Sequence, residues 1–104
     1  MPSEKFAVLV SPQADRKMAA HIHFLARVSE PAASRFYDAY EEALRSLEEN
    51  PRGYPRYELH SKIAAELHSK LFEKRYRIVF EIRGSAVYIY DIQDCRQDVD
   101  KSLV

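Results

Sequence analysis

The residues best suited to chemistry lie between positions 51 and 84, a segment that contains eight basic and four acidic side chains. This segment contains His68, Lys70 and Arg77. Ammonium and guanidinium groups bind phosphate oxygens, and an imidazole can act as an acid or a base near neutral pH. The local charge of +4 is what an anion-binding surface needs, although a mixed solvated surface would explain the same composition.

Spacing along the predicted strands indicates which strand face each of these side chains occupies. A two-residue period places His68 and Lys70 on the same strand face, roughly 6.5–7 Å apart. Arg77 alternates away from its apolar neighbours and shares a face with Glu81. Ordinary surface positions remain an alternative, with solvated side chains at His68 and Lys70 and an ion pair between Arg77 and Glu81.

Other reactive side chains have weaker claims. His60 lies in a loop of uncertain position, whereas His21 falls near an apolar helical stripe and is predicted to be packed. His21 and His23 do not face one another on a helix, so a metal pair is not expected. Cys95, the single cysteine, is predicted to be a small semi-buried residue. We expect no metal and no cofactor.

Composition limits the class of protein. A chain of 104 residues allows a single domain, which we assign to residues 1–104. Sixteen basic residues balance sixteen acidic ones, which argues against a protein that coats nucleic acid by bulk charge. No apolar run approaches the roughly 20 residues of a membrane helix, and the first residues do not form a secretory signal. We expect a cytoplasmic protein with no membrane partner.

The first half of the chain predicts a strand followed by two helices. Alternation through Phe6, Val8 and Val10 indicates the strand, and Ser11-Pro12 is typical of a helix start. Two apolar stripes at helical spacing follow: Ala14, Met18, Ile22, Leu25 and Val28, then Ala33, Phe36, Tyr40, Ala43, Leu44 and Leu47. A connection of two or three residues at Ser29 predicts an antiparallel helix hairpin, and Asn50-Pro51 ends it.

The second half predicts a loop and three strands. Residues 51–64 indicate a loop with a short strand or helical turn, and a strand begins at Leu67. Residues 76–83 and 86–93 form two more strands around a tight turn at Gly84-Ser85. The order β-α-α-β-β-β predicts an α+β domain, with an antiparallel helix hairpin packed on one face of a small, mainly antiparallel sheet.

The chain resembles the RelE/ParE toxins of type II toxin–antitoxin systems over essentially its whole length. The resemblance rests on the order and spacing of four segments: VSPQADRKM at 10–18, AASRFYDAYEEALRSLEENP at 32–51, KRYRIVFEI at 74–82 and IYDIQDCRQD at 89–98. It implies a cytosolic toxin held inactive by a cognate antitoxin. RelE-like members cut mRNA in the ribosomal A site, whereas ParE-like members act on DNA gyrase, and their shared fold does not separate them.

The resemblance also implies roles for four residues in mRNA cleavage. Arg77 stands where RelE-like toxins have a phosphate-binding arginine, and Lys70 stands at the position of their catalytic lysine. His68 stands where they have another lysine. Arg96 matches a C-terminal arginine that contacts the substrate phosphate, although an ion pair with its flanking aspartates would also explain it.

Two departures weaken the nuclease interpretation. RelE-like nucleases commonly have a tyrosine or histidine near the C-terminus, but this chain ends in DKSLV, and ribosome-dependent members are usually basic. We slightly favour mRNA cleavage, which predicts that Lys70, Arg77 and Arg96 converge on one concave surface. The alternatives are a gyrase inhibitor without chemistry and an inactive member that only binds its antitoxin. Expected partners are the antitoxin, then ribosome and mRNA or gyrase, with operator DNA reached only through the antitoxin.

Overall fold

Two helices lie on one face of a four-stranded sheet in the computed structural model, which describes residues 5–57 and 66–95. The elements are β1 (Ala7–Val10), α1 (Pro12–Val28), α2 (Glu30–Glu49), β2 (Leu67–Phe72), β3 (Tyr76–Arg83) and β4 (Ala86–Asp94). This order confirms the predicted fold class. The last strand is one residue longer than predicted.

The strand order in the sheet is β1-β4-β3-β2. Only β1 runs parallel to its neighbour, so the sheet is mainly antiparallel, as predicted. β1 pairs with β4 as far as Ile89, and α1 covers the strand beyond that point. Ser11 N donates to Ile89 O at 3.0 Å, and His21 Nε2 donates to Ile92 O at 3.0 Å. The first helix therefore completes the edge that the short β1 leaves open.

A single residue joins the two helices, so the predicted loop of two or three residues is wrong. Ser29 has an extended backbone and serves as both the last cap of α1 and the first cap of α2. Its N–H donates to Leu25 O at 2.7 Å, and its Oγ accepts from Ala32 N at 3.3 Å. Pro31 lies in the first turn of α2, because a residue there needs no backbone N–H for the helix. It is therefore part of the helix and not of the connection.

The core forms where the helix stripes meet one sheet face. Three aromatic rings, Phe36, Phe72 and Tyr76, contact one another with centroids 4.5–5.7 Å apart. The predicted stripe of α1 is correct except at its end, because Val28 is 72% exposed. Val28 is the last residue of the helix, next to the reversal at Ser29. Among the described residues, no helix is long and apolar enough to cross a membrane.

Residues 51–57 run back along the free edge of β2. Pro51–Gly53 form a short 3-10 turn, which agrees with the predicted loop, although residues 58–64 of that prediction lie outside the described ranges. Ser69 N donates to Pro55 O at 2.9 Å, Tyr57 N donates to Leu67 O at 2.9 Å, and Arg56 bridges His68. We call residues 54–57 the tyrosine loop, after Tyr54 and Tyr57.

The turn between β2 and β3 has two left-handed residues that are not glycine. Glu73 has φ 49° and Lys74 has φ 66°, and Arg75 N donates to Glu73 O at 2.8 Å across the turn. A side chain at positive φ costs free energy because its Cβ approaches the backbone. The turn therefore stores strain that the pairing of β2 with β3 offsets.

We expect Lys74→Gly to raise the free energy of unfolding by about 1 kcal/mol, because glycine adopts a positive φ without this strain. The matched change is Gly84→Ala at φ 55°, where nothing lies within 4 Å of the added Cβ and only backbone strain acts. It should lower stability by about 1 kcal/mol. Urea denaturation measures both. A Lys74→Gly variant no more stable than the parent would contradict strain at this turn.

Candidate functional site

Lys70 lies on the core side of the sheet, beside the tyrosine loop. It pairs with Ile78 across β2 and β3, so both side chains leave the same face. Its Nζ lies 4.4 Å from the centre of the Tyr54 ring. A cation over an aromatic ring at a partly exposed site gains about 0.5–1 kcal/mol. The ammonium group is thus held at the rim of the core and remains partly accessible.

Arg77 lies on the opposite face of the same two strands. It pairs with Leu71 on one side and Gln93 on the other, and its guanidinium lies 5.8 Å from the centre of the Tyr57 ring. The alternative ion pair with Glu81 does not form among the described residues, because Glu81 accepts from Arg83 instead. Arg77 is therefore positioned by an aromatic ring, and no carboxylate of the described residues lies within 4.0 Å of its guanidinium.

The structure confirms that His68 and Lys70 share one face of β2, but it places Arg77 on the opposite face of the sheet. Alternation along paired strands sends Lys70 to the core side and Arg77 to the other side. The tyrosine loop passes around the edge of β2 and places one ring against each cation. Arg96 and His60 lie outside the described residues.

His68 is buried, so the alternative of a solvated strand histidine is wrong. The residue is 4% exposed, and its ring stacks on Phe80 with centroids 5.7 Å apart. Nδ1 lies 2.6 Å from Tyr54 O, and Nε2 lies 2.8 Å from Glu66 Oε2. Both ring nitrogens are occupied, so in this conformation the imidazole has no nitrogen free for a substrate.

Glu66 links this histidine to Arg52 in the 3-10 turn that follows α2. Its Oε2 accepts from His68 and also lies 3.2 Å from Arg52 Nε, while its Oε1 accepts from Arg52 Nη2 at 3.4 Å. The hydrogen bond to His68, followed by the contact with Arg52, lowers the pKa of the Glu66 carboxyl despite partial desolvation. The carboxylate thus stays charged beside the buried ring.

A second carboxylate is buried on the sheet face that Arg77 shares. Glu81 accepts from Arg83 Nε at 2.7 Å and from the Tyr90 hydroxyl. These two bonds, with the Arg83 bond the stronger cause, lower the pKa of Glu81 against the opposing effect of burial. The same contact with the carboxylate raises the pKa of Tyr90. Tyr90 is therefore a hydrogen-bond donor to Glu81 and does not serve as a free acid.

Asp91 and Gln93 form a buried polar pair that sequence reasoning missed. Asp91 accepts from Lys17 Nζ at 3.2 Å, from Ile92 N at 2.9 Å and from Gln93 Nε2 at 3.3 Å. Gln93 Nε2 also contacts the Tyr57 hydroxyl at 3.4 Å, while its Oε1 has no partner within the described residues. Two polar residues at alternate positions of an otherwise apolar strand are the signal that could have identified them.

A cationic cleft lies between the start of α2 and the β2–β3 turn, and its residues were also missed. It encloses about 280 Å³ and is lined by Arg35, Lys74 and Arg75, with Glu73 as the acidic neighbour. Arg75 is fixed by its own neighbour, because its Nη2 donates to the Tyr76 hydroxyl at 3.3 Å. These cations come from segments about forty positions apart in sequence, which hides the cleft from any local motif. The rest of its lining is formed by Leu25, Ala32, Phe36 and Tyr76.

The remaining predictions concern packing and metals. His21 contacts the rings of Phe36 and Tyr76 and donates to a backbone carbonyl, which confirms a packed histidine. Cys95 is half-buried and free, as predicted. Across residues 5–57 and 66–95, no group of three His, Cys, Asp or Glu side chains is placed to hold a metal ion.

Comparisons with known proteins agree with the observed fold. The family model of the ParE toxin of type II toxin-antitoxin system, parDE, matches residues 8–99. Among solved structures, the chain is similar to one from the chromosomal ParDE TA system from P. aeruginosa, with a TM-score of 0.67 and 16% sequence identity. That alignment covers 88% of this chain and 98% of the other, and it shows the fold. No curated protein matches the sequence.

The lowered pKa of Glu81 predicts a defined dependence of stability on pH. Because its folded-state pKa lies below the ordinary 4.5, its contribution is full above pH 4.5 and disappears as pH falls through the folded value. We expect Glu81→Gln to lower the melting temperature at pH 7 by roughly 4 °C and to flatten its decline on acidification. Calorimetry between pH 3 and pH 7 measures this, with the exposed Glu42→Gln as control. An unchanged acid profile would contradict the assignment.

Proposed function

The chain belongs to the ParE toxins of type II toxin–antitoxin systems, and from that premise we propose that it acts by binding DNA gyrase. Its partner within that system is a cognate antitoxin. This function differs from the mRNA cleavage that the sequence favoured. The single observation that carries it is the separation of Lys70 and Arg77 onto opposite faces of the sheet.

Cleavage of RNA through its 2′-hydroxyl makes demands that this separation does not meet. One group must remove the hydroxyl proton, another must protonate the leaving oxygen, and cations must stabilise charge on the same phosphate. These groups have to reach one phosphate together, yet Lys70 and Arg77 leave opposite faces. His68, the remaining described candidate for an acid or base, has both nitrogens occupied in a buried site. The arrangement favours a binding surface over a nuclease centre.

The same separation suits recognition of a protein. We define the cationic edge as Tyr54, Arg56, Tyr57, Lys70 and Arg77, which border β2 from both faces. Tyrosine and arginine are enriched among the residues that dominate binding energies at protein interfaces. Among the described residues, no carboxylate lies within 4.0 Å of the Lys70 or Arg77 cations.

An apolar contact lies beside these charges. Leu71 is 56% exposed and pairs directly with Arg77. A protein surface with carboxylates around an apolar residue would complement the edge.

Induction of the chain in a bacterial host tests this function directly. We expect growth arrest, loss of plasmid supercoiling and unchanged mRNA 5′ ends, and rescue by the co-expressed antitoxin. Arg77→Ala and Lys70→Ala should each weaken inhibition of purified gyrase about tenfold, which corresponds to ~1.4 kcal/mol per contact. Arg45→Ala, on the exposed side of α2, is the matched control and should leave inhibition unchanged.

Two results would overturn the proposal. New mRNA 5′ ends that vanish in both the Lys70 and Arg77 variants would establish a ribosome-dependent nuclease. Normal growth and normal supercoiling, despite tight binding of the antitoxin, would establish an inactive member of the family.

A further inference from the structure

We propose that His68 is a positioning residue, which in its doubly protonated form holds the tyrosine loop against β2. The proposal rests on the proposed function in one respect, since the loop shapes the cationic edge that would meet gyrase. The hydrogen bonds that carry it belong to the toxin alone and can be measured without a target.

The two partners of the ring are both acceptors. Tyr54 O is a backbone carbonyl 2.6 Å from Nδ1, and Glu66 Oε2 belongs to a carboxylate 2.8 Å from Nε2. A neutral imidazole has a single N–H and one lone pair, so either tautomer satisfies one oxygen and turns its lone pair toward the other. Only the imidazolium ion donates to both. Because the residue is 4% exposed, water does not readily replace the lost donor.

The charged groups around the ring are compatible with this state. Glu66 supplies the direct counter-charge from the position just before β2, and Arg52 and Arg56 approach from residues 51–57. Arg52 contacts the same carboxylate, and Arg56 Nε donates to a backbone carbonyl at the start of β2. Lys70, two positions along the same face, is engaged with an aromatic ring of the tyrosine loop. From β3 the ring meets the apolar face of Phe80.

Among the described residues, four hydrogen bonds attach the tyrosine loop to β2, and one of them depends on this proton. Two are backbone bonds to Ser69 and Leu67, and the third runs from Arg56 Nε to Leu67 O. The fourth comes from His68 to Tyr54, which is also the ring under Lys70. When the ring loses one proton, the other stays on Nε2, because the Glu66 carboxylate is a stronger acceptor than the Tyr54 carbonyl, and the bond from Nδ1 to Tyr54 O is lost. The contact of Tyr54 with Lys70 should therefore be released more than the contact of Tyr57 with Arg77.

Glu66→Gln separates protonation from position. The side-chain amide that replaces the carboxylate can donate to Nε2, so a neutral His68 with its proton on Nδ1 satisfies both neighbours, and Arg52 keeps an acceptor in the amide oxygen. This variant should hold the loop in place at every pH. His68→Phe preserves the stack on Phe80 but removes both bonds, and should release Tyr54 at every pH. His23→Gln, at an exposed position of α1, is the control for a general histidine effect.

Nitrogen-15 NMR of the full-length chain between pH 5.5 and 8.5 measures the protonation of the two His68 ring nitrogens directly. We expect two protonated ring nitrogens at the low end, and a shift of the Tyr54 resonances as the proton is lost. Glu66→Gln should abolish the Tyr54 shift, while His23→Gln should leave it unchanged. A neutral His68 at pH 5.5 with Tyr54 in place would overturn the proposal. So would a Glu66→Gln variant with the parent's pH dependence.

Gyrase inhibition supplies the second readout. His68→Phe should weaken inhibition about tenfold, and adding Lys70→Ala to it should weaken inhibition no further, because both act through the contact with Tyr54. Independent, multiplicative losses would overturn the positioning role. If the NMR titration behaves as expected but the parent does not inhibit gyrase, the proposed target is wrong and the role of His68 in fixing the loop stands.

Discussion

The antiparallel pairing of β2 with β3 is the constraint on which the rest of the site depends. Its register sets His68 opposite Phe80, Lys70 opposite Ile78 and Phe72 opposite Tyr76. Once the aromatic pair is buried under the helices, the two-residue period commits the side chains of His68 and Lys70 to the core side of the sheet. The same period commits Arg77 to the other side, and a slip of one residue would expose the aromatic core.

The tyrosine loop, which follows α2, adds a second layer of contacts to the edge of β2. By running along β2, the tyrosine loop covers an edge that would otherwise expose unpaired backbone groups. It also supplies a ring to each cation, Tyr54 to Lys70 and Tyr57 to Arg77. The same four residues thus cover the edge of β2 and supply the aromatic rings of the proposed binding surface.

At the opposite edge of the sheet, next to β1, another segment also covers strand backbone that would otherwise be unpaired. β1 is too short to cover β4, and α1 takes over through Ser11 and His21, while Lys17 reaches the buried Asp91. Polar groups of the first helix and its cap therefore make the contacts that an additional stretch of strand would otherwise make. This explains why a histidine packs against Tyr76, since its ring also donates to the Ile92 carbonyl.

Local patterning by itself determined the elements, their order and most of the core. Alternation, capping residues and helical stripes depend on neighbours within a few positions, so β3 and the Gly84-Ser85 turn were predicted at their observed positions. Tertiary structure alone decided where the candidate side chains lie and which groups they contact. His68 is buried because Tyr54 and Glu66 meet it from two sides, and the Arg35 cleft joins distant segments. The exposure of a side chain and its ion pairs depend on contacts with residues that are distant in sequence. Local spacing does not specify those contacts.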